Sequence, residues 1–390
     1  MLDRLWPSRR IPLALLLLCR QPGRLAVALA GIAFAGILMF MQLGFRDGLF
    51  DASVTVHQQF DTDLVLMSPR TMSSIGMAPF PRRRLVQAMA DPAVSGITPV
   101  HWNLLLWRNP DTRSTRSILT LGFEPGDPLF LDPSLAAKAR VLTQKGRVLF
   151  DERSRPEFGP IAERFRAGRV VETEVAGKRV RVAGLVSLGP SFGADGNLLT
   201  SRETFLQLMP QTPPGSIELG LIRLLPGSDS AAVAQRLKRL LPDDVRVFTK
   251  AEFEEFEKTY WRTSTAIGFI FTLGAALGFV VGCVIVYQIL HSDVSDHLPE
   301  YATLMAMGYP LPRLLGGVGR EGLLLALFGY VPAYLAAQGF YRLVQSGTNL
   351  PVSMNGERAL RVFAMILAMC LASAALAMRR LADADPAEIF

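Results

Sequence analysis

Four apolar runs punctuate this chain, and each is long enough to demand a surrounding other than water. Residues 25–45 supply 21 positions without a charge, ten of them Leu, Ile, Val or Phe. Residues 264–290 form a second uncharged run, 322–340 a third with Pro332 inside it, and 362–378 the fourth and shortest. A helix of about 20 apolar residues spans the hydrocarbon core of a bilayer. One such run can be the buried helix of a water-soluble protein, but four in one chain argue against that. A proline inside a span is tolerated in lipid when neighbouring helices satisfy the carbonyl it frees. The expected fold class is membrane α-helical with four transmembrane helices, and the first expected partner is the lipid bilayer.

Composition excludes most other classes. Of 390 residues, 50% are hydrophobic and 19% charged, against about 25% charged in ordinary soluble domains. The net charge of +7 comes from 41 basic and 34 acidic residues. Thirty-five of the basic residues are Arg, scattered along the chain, which is a compositional bias and no nucleic-acid patch. Trp102 and Trp107 with Arg108 lack the interleaved basic spacing of a nucleic-acid platform, so no nucleic acid is expected. Arg82, Arg83 and Arg84 suit a solvated helix face better than an anion site. Cys19, Cys283 and Cys370 lie in or beside apolar runs and form no CxxC pair. His57, His101, His291 and His297 are dispersed, so no metal is expected. No GxxxxGK[ST], GxSxG or HExxH pattern occurs, so neither catalytic residues nor a cofactor are expected.

Basic residues near the spans orient them. Arg4, Arg9, Arg10, Arg20 and Arg24 precede the first span, and Arg379 and Arg380 follow the fourth. Against these seven stand Arg342, Arg358 and Arg361 between the third and fourth spans. Both termini are therefore expected in the cytoplasm. Residues 11–19 carry the look of a signal-peptide core. Leu18 is too large for the position before a cleavage site, and an uncharged span follows at once, so residues 13–20 are expected to lie on the membrane face as an interfacial helix. The expected organisation is then a cytoplasmic tail (1–24), a first span (25–45), a domain with its stalk on the far side of the membrane (46–263), a second span (264–290) and a cytoplasmic loop (291–321). A third span (322–340), a short loop on the far side (341–361), a fourth span (362–378) and a cytoplasmic tail (379–390) complete it.

Residues 46–263 hold 29 basic and 25 acidic residues and resemble a folded α/β domain. Residues 63–67, 117–121, 179–183 and 218–224 have the length and alternation of strands. Residues 82–90 and 230–241 have helical spacing. Gly189-Pro190 and Asp195-Gly196-Asn197 are expected turns. Residues 250–262, rich in Glu and aromatics, are expected to carry the second span outward as a stalk helix.

Two patterns point to contacts. Gly274, Gly278 and Gly282 recur at four-residue intervals in the second span, which puts them on one helix face where two backbones can approach closely. Either the first span or a second copy of the chain fits as the partner. Pro299, Glu300, Tyr301, Leu304, Met305, Met307 and Gly308 form a short helix pattern, with Pro suited to its first turn and Gly to its end. Such an amphipathic helix can lodge in a partner's groove, and methionines adapt well to one.

The segment Glu300-Tyr-Ala-Thr-Leu-Met-Ala-Met-Gly308 resembles the E-I/Y-x-x-L-x-A-x-G cytoplasmic segment of FtsX/MacB-type permeases of ABC transporters. Residues 24–32 resemble the start of their first span. Residues 150–160 and 300–309 resemble the cyanobacterial DevC branch. The resemblance runs over the whole chain, and Met305 departs from a position where a basic residue often stands. The resemblance implies a large α/β extracytoplasmic domain of the MacB-like periplasmic kind between helices 1 and 2, in an inner-membrane permease. It also implies a homodimer without its own nucleotide site. A separate ABC ATPase subunit (DevA-like) would dock on residues 299–308. A periplasmic adaptor of the membrane-fusion kind (DevB-like) would lead to an outer-membrane channel (TolC-like). Its work would be export of a hydrophobic or glycolipid-like cargo by motion passed through the stalk. Two alternatives share the four spans: an FtsX-like signalling subunit that activates a cell-wall hydrolase, and a LolC/LolE-like lipoprotein-releasing permease.

Overall fold

The computed structural model describes residues 22–297, 303, 307, 311–348 and 350–382. The chain divides into two compact units, at Gly48/Leu49 and again at Thr265/Ala266. The helices are α1 (Pro22–Ser53), α2 (Thr55–Gln58), α3 (Arg83–Ala88), α4 (Pro133–Ala139), α5 (Ile161–Arg166), α6 (Arg202–Leu208), α7 (Ser230–Leu240), α8 (Lys250–Thr263), α9 (Ala266–Asp296), α10 (Leu311–Thr348) and α11 (Gly356–Ala382). The strands are β1 (Leu64–Met67), β2 (Phe80–Pro81), β3 (Val94–Arg108), β4 (Thr115–Phe123), β5 (Arg147–Asp151), β6 (Glu172–Val175), β7 (Lys178–Val186), β8 (Asn197–Ser201), β9 (Ser216–Ile217), β10 (Leu219–Leu224) and β11 (Arg246–Thr249).

The helical unit is built from α1, α9, α10 and α11. Among the described residues four stretches are long and apolar enough to cross a membrane: Pro22–Ser53, Ala266–Asp296, Gly319–Gly347 and Gly356–Met378. Each overlaps one of the four apolar runs, and each helix runs on past the uncharged stretch. Helix α9 continues to Asp296, and α10 begins at Leu311, so the 291–321 connection is partly helical. Pro332 lies inside α10 without ending it. The core of this unit joins Ile32, Met39 and Phe40 of α1 to Val286 of α9, Ala333 of α10 and Ile366 of α11. Small residues keep the helices close. A Cβ on Gly36 would stand 2.7 Å from Ala333 Cβ.

The α/β unit contains a nine-stranded sheet in the order β11-β1-β10-β3-β4-β8-β5-β7-β6. Its first four strands pair antiparallel throughout. With α3 between β1 and β3, and α7 between β10 and β11, they form a split β-α-β layer of strand order 4-1-3-2. Leu85, Val233 and Leu237 from the two helices pack on Leu64, Leu66 and Ile222 of the sheet. Strand β3 is 15 residues long and leaves this layer halfway: residues 94–100 pair with β10, residues 101–108 with β4. The sheet then curls until Trp107 of β3 pairs with Val175 of β6. That pairing closes six strands into a small barrel, which removes the exposed edges. Its interior holds Trp107, Phe150, Phe158, Val180 and Val182, and Trp107 Nε1 donates to the Phe158 carbonyl at 3.2 Å.

The four segments expected as strands lie on β1, β4, β7 and β10, and the two helical ones on α3 and α7. One expected turn is corrected. Asn197 opens β8 as a fully buried residue, and the tight turn falls at residues 191–194 instead. Asn197 is drawn into the sheet because its side-chain amide donates to Asp151 Oδ2 and the Gly189 carbonyl, both at 2.7 Å. Trp102 and Trp107 are buried in the sheet. Arg84 holds Asp244 through two nitrogens, and Arg83 is left exposed beside it.

Candidate functional site

The three glycines of α9 face residues of the same chain. A Cβ on Gly278 would stand 3.4 Å from both Leu38 Cβ and Met39 Cγ, and one on Gly274 would stand 2.5 Å from Gln42 Cδ. At Gly282 it would lie 2.8 Å from Ala35 Cβ and overlap Met369 Sδ. Residues 35, 38, 39 and 42 form one face of α1 by their three- and four-residue spacing. The stripe is therefore filled by the first span, with α11 closing over Gly282. Elsewhere on α9, Phe269, Ile270, Leu277, Val280 and Val284 stand exposed.

Each end of α1 carries an ion pair. Near its start Arg24 meets Asp296 of α9 at 2.6 Å, with both side chains about half exposed. Near its other end Asp47 accepts from Arg358 Nε at 3.1 Å and Nη2 at 3.0 Å. Arg358 is only 3% exposed. Its Nη1 donates to the Ser353 carbonyl at 2.6 Å, and its guanidinium lies 5.7 Å from the Tyr341 ring. The Tyr341 hydroxyl in turn donates to the Phe40 carbonyl. Asp47 also accepts from Arg46 Nε and Nη2 at 3.1 and 3.0 Å, so Arg358 is the buried member that would lose its counter-ion if the pair were broken. These contacts fasten α1, α10 and the start of α11 to one another.

Of the expected coupling residues, Pro299, Glu300, Tyr301, Leu304, Met305 and Gly308 lie outside the described residues. Met307 is 65% exposed, and its backbone N–H donates to the Thr303 carbonyl at 3.0 Å.

The α/β unit holds a buried polar cluster that no motif announces. His57 of α2, Ser74 of a short 3₁₀ turn and Glu257 of α8 meet around a cavity of about 20 Å³, room for about one water molecule. His57 Nε2 lies 2.6 Å from Ser74 Oγ. Ser74 donates twice to Glu257 Oε2, from Oγ at 2.7 Å and from its backbone N–H at 2.8 Å. Trp261 Nε1 donates to Glu257 Oε1 at 2.9 Å, and Trp102 Nε1 to the Ser74 carbonyl at 2.6 Å. The His57 ring packs on Phe253 and Trp102 at 4.7 and 5.3 Å between centroids. Burial pushes His57 down to about 3, so it is neutral, and the same burial raises the Glu257 carboxyl against the pull of its three donors. The serine hydroxyl faces a carboxylate, and the cavity is too small for an organic substrate. This is an anchor for α8 and no nucleophile–base pair. One sequence signal could have found it: Phe253, Glu257 and Trp261 are four residues apart, so Glu257 shares the apolar face of its helix. Among the described residues no group of His, Cys, Asp and Glu is placed to hold a metal ion.

Known proteins resemble this chain in part and as a whole. Residues 265–386 match the FtsX-like permease C-terminal model. Two uncharacterized ABC transporter permeases of Mycobacterium tuberculosis, from strains CDC 1551 / Oshkosh and ATCC 25618 / H37Rv, are each 22% identical over 369 residues, covering 92% of this chain and 93% of the relative. Among solved structures, the periplasmic region of MacB from Actinobacillus actinomycetemcomitans is similar with a TM-score of 0.35 and 13% identity, over 50% of this chain and 92% of that one. The extracellular domain of the noncanonic ABC-type transporter YknZ from Gram-positive bacteria is similar with a TM-score of 0.32 and 12% identity, over 48% of this chain and 98% of that one. In sequence, residues 265–386 are thus similar to an FtsX-like permease domain and the chain as a whole to ABC transporter permeases, and its four long apolar helices fit a multi-pass membrane protein.

Proposed function

We propose that this chain is the permease subunit of an ABC exporter that works with a separate ATPase, an adaptor and an outer-membrane channel. The observation that carries the reading is the match of residues 265–386 to an FtsX-like permease domain in a chain whose first two long helices enclose an α/β insertion. In this reading the α/β unit stands outside the inner membrane, both termini are cytoplasmic, and two copies of the chain form the working unit. ATP is hydrolysed by the partner, docked on residues 299–308. Its motion leaves the membrane through α1, which is helical to Ser53, and through α8, which ends two residues before α9 begins. The resemblance of residues 150–160 and 300–309 to the DevC branch favours a hydrophobic or glycolipid-like cargo.

The test is ATPase stimulation by the full-length permease reconstituted in lipid with its ATPase subunit. The double variant Glu300→Ala, Leu304→Ala is expected to insert normally and to lose at least tenfold of the stimulation. Full stimulation by that variant would place the coupling elsewhere. Co-purification of an adaptor and a channel separates an exporter from a signalling subunit of the same family.

A further inference from the structure

The cluster at His57, Ser74 and Glu257 joins the way into the α/β unit to the way out of it. Helix α2 follows α1 after a single residue, and α8 is the last helix before α9. The link between them is Ser74, which touches His57 on one side and Glu257 on the other. A carboxylate only accepts hydrogen bonds, so the Ser74 hydroxyl proton points to Glu257 and His57 Nε2 must donate to Ser74 Oγ. That tautomer leaves His57 Nδ1 bare. It is fully buried, and no hydrogen-bond partner reaches it. A proton arriving there would place a cation and an unpaired N–H in an apolar pocket, which is costly unless the pocket opens.

We propose that this clasp is a proton-sensitive latch on α8, shut while His57 is neutral and released when His57 takes up a proton. Protonation occurs in the open form, where the ring reaches water. The closed form refuses the proton until far lower pH, so acid favours opening. The groups facing His57 from the surrounding elements are few. The 3₁₀ turn presents Ser74, α8 presents Glu257, and β3 presents the uncharged Trp102. Beyond them, Lys258 is paired with Asp51 at 2.7 Å and Arg262 with Glu255 at 3.2 Å, both on the exposed side of α8. Lys250 caps the carbonyls of Gln58 and Phe60. Glu257 opposes His57. Burial makes the closed form hold the Glu257 proton at higher pH than the open form does, which favours closure in acid. With Glu257 replaced by Gln, only the histidine remains. Opening should then rise about tenfold between pH 7.5 and 5.5, the span over which an exposed imidazole with a pKa near 6.5 fills.

The experiment is hydrogen exchange of the full-length protein in nanodiscs, read by mass spectrometry and corrected for the intrinsic pH dependence of exchange. No ATPase subunit is present, so the outcome is independent of the transport reading. In Glu257→Gln, amides of residues 250–263 should lose about tenfold of protection between pH 7.5 and 5.5. In His57→Gln, whose amide N–H can still donate to Ser74, the same amides should hold steady or gain protection in acid. Strand β5 in the barrel should be unmoved in both. The same slope in the two variants would overturn the latch, as would a loss of protection spread evenly over α8 and β5.

Discussion

The helical unit and the α/β unit both bury polar groups, and they do so with different chemistry. In the helical unit the deepest link is Arg358 with Asp47 at 3.0 Å. Other inward links among the described residues are hydroxyls donating to helix carbonyls, including Tyr341 to Phe40 and Ser373 to Cys283 at 2.8 Å. In the α/β unit the buried links gather around carboxylates. Asp151 gathers the backbone N–H groups of Arg153, Leu188 and Gly189 and the Asn197 amide. His101 meets Glu218 at 2.8 Å, and His57 reaches Glu257 through Ser74. The contrast lies in how a lost partner can be replaced. A bundle surrounded by lipid has no water to repair a lost partner, so its inward links lean on hydroxyls that donate to helix carbonyls, and Asp47 has a second cation in Arg46. A domain in water can keep linked carboxylates inside, because its open form is readily hydrated.

Three experiments press on this contrast. Replacing Arg358 with Ala leaves Asp47 with Arg46 as its remaining cation at 3.0 Å and should cost the helical unit about 1–3 kcal/mol, measured by denaturant unfolding in mixed micelles. Pairing it with Asp47→Asn should restore much of that. A cost below about 1 kcal/mol would mean the pair is a surface pair in effect, and the contrast would fail. Next, Gly282→Val forces a branched side chain between Ala35 and Met369 and should cost about 1–3 kcal/mol. Gly278→Ala, with 3.4 Å to its nearest neighbours, should lie near zero, since ordinary contact is offset by better helix propensity. Equal costs at the two glycines would mean the helices are not held at the approach that Ala35 defines. The smallest effect is at the start of α8, where Thr249 and Glu252 form a capping box. Thr249→Ala should weaken that helix by about 1 kcal/mol, read as about fivefold faster amide exchange over residues 250–263 at every pH. A change in the pH slope instead would tie the cap to the latch.

Much of the molecule was legible before any coordinates. Hydropathy located the four long helices, and period-two runs located β1, β4, β7 and β10. Strand β3 escaped because Gly96 and Pro99 interrupt its first half, where they usually mark turns or edges. They are tolerated there as the strand passes from the flat layer into the barrel. Strand β8 escaped because its first residue, Asn197, sits in an Asp-Gly-Asn run that marks a turn. The glycine stripe was visible as a stripe, but its partner was not. Only the packing assigns Ala35, Leu38 and Gln42 to it. Arg358 and Asp47 are 311 positions apart, and neither sits in a pattern that singles it out.

What the sequence settled by itself was the division into apolar helices and a polar insertion. The transfer of a helix into lipid depends on the summed hydrophobicity of neighbouring residues, and that sum is written along the chain. The folded structure alone decided that six strands close on Trp107 and Val175, that the first span fills the glycine face, and that Ser74 comes to lie between His57 and Glu257. Those contacts join positions 17 and 183 residues apart, and their energies exist only once the path of the backbone has brought the side chains together and water has been driven from between them.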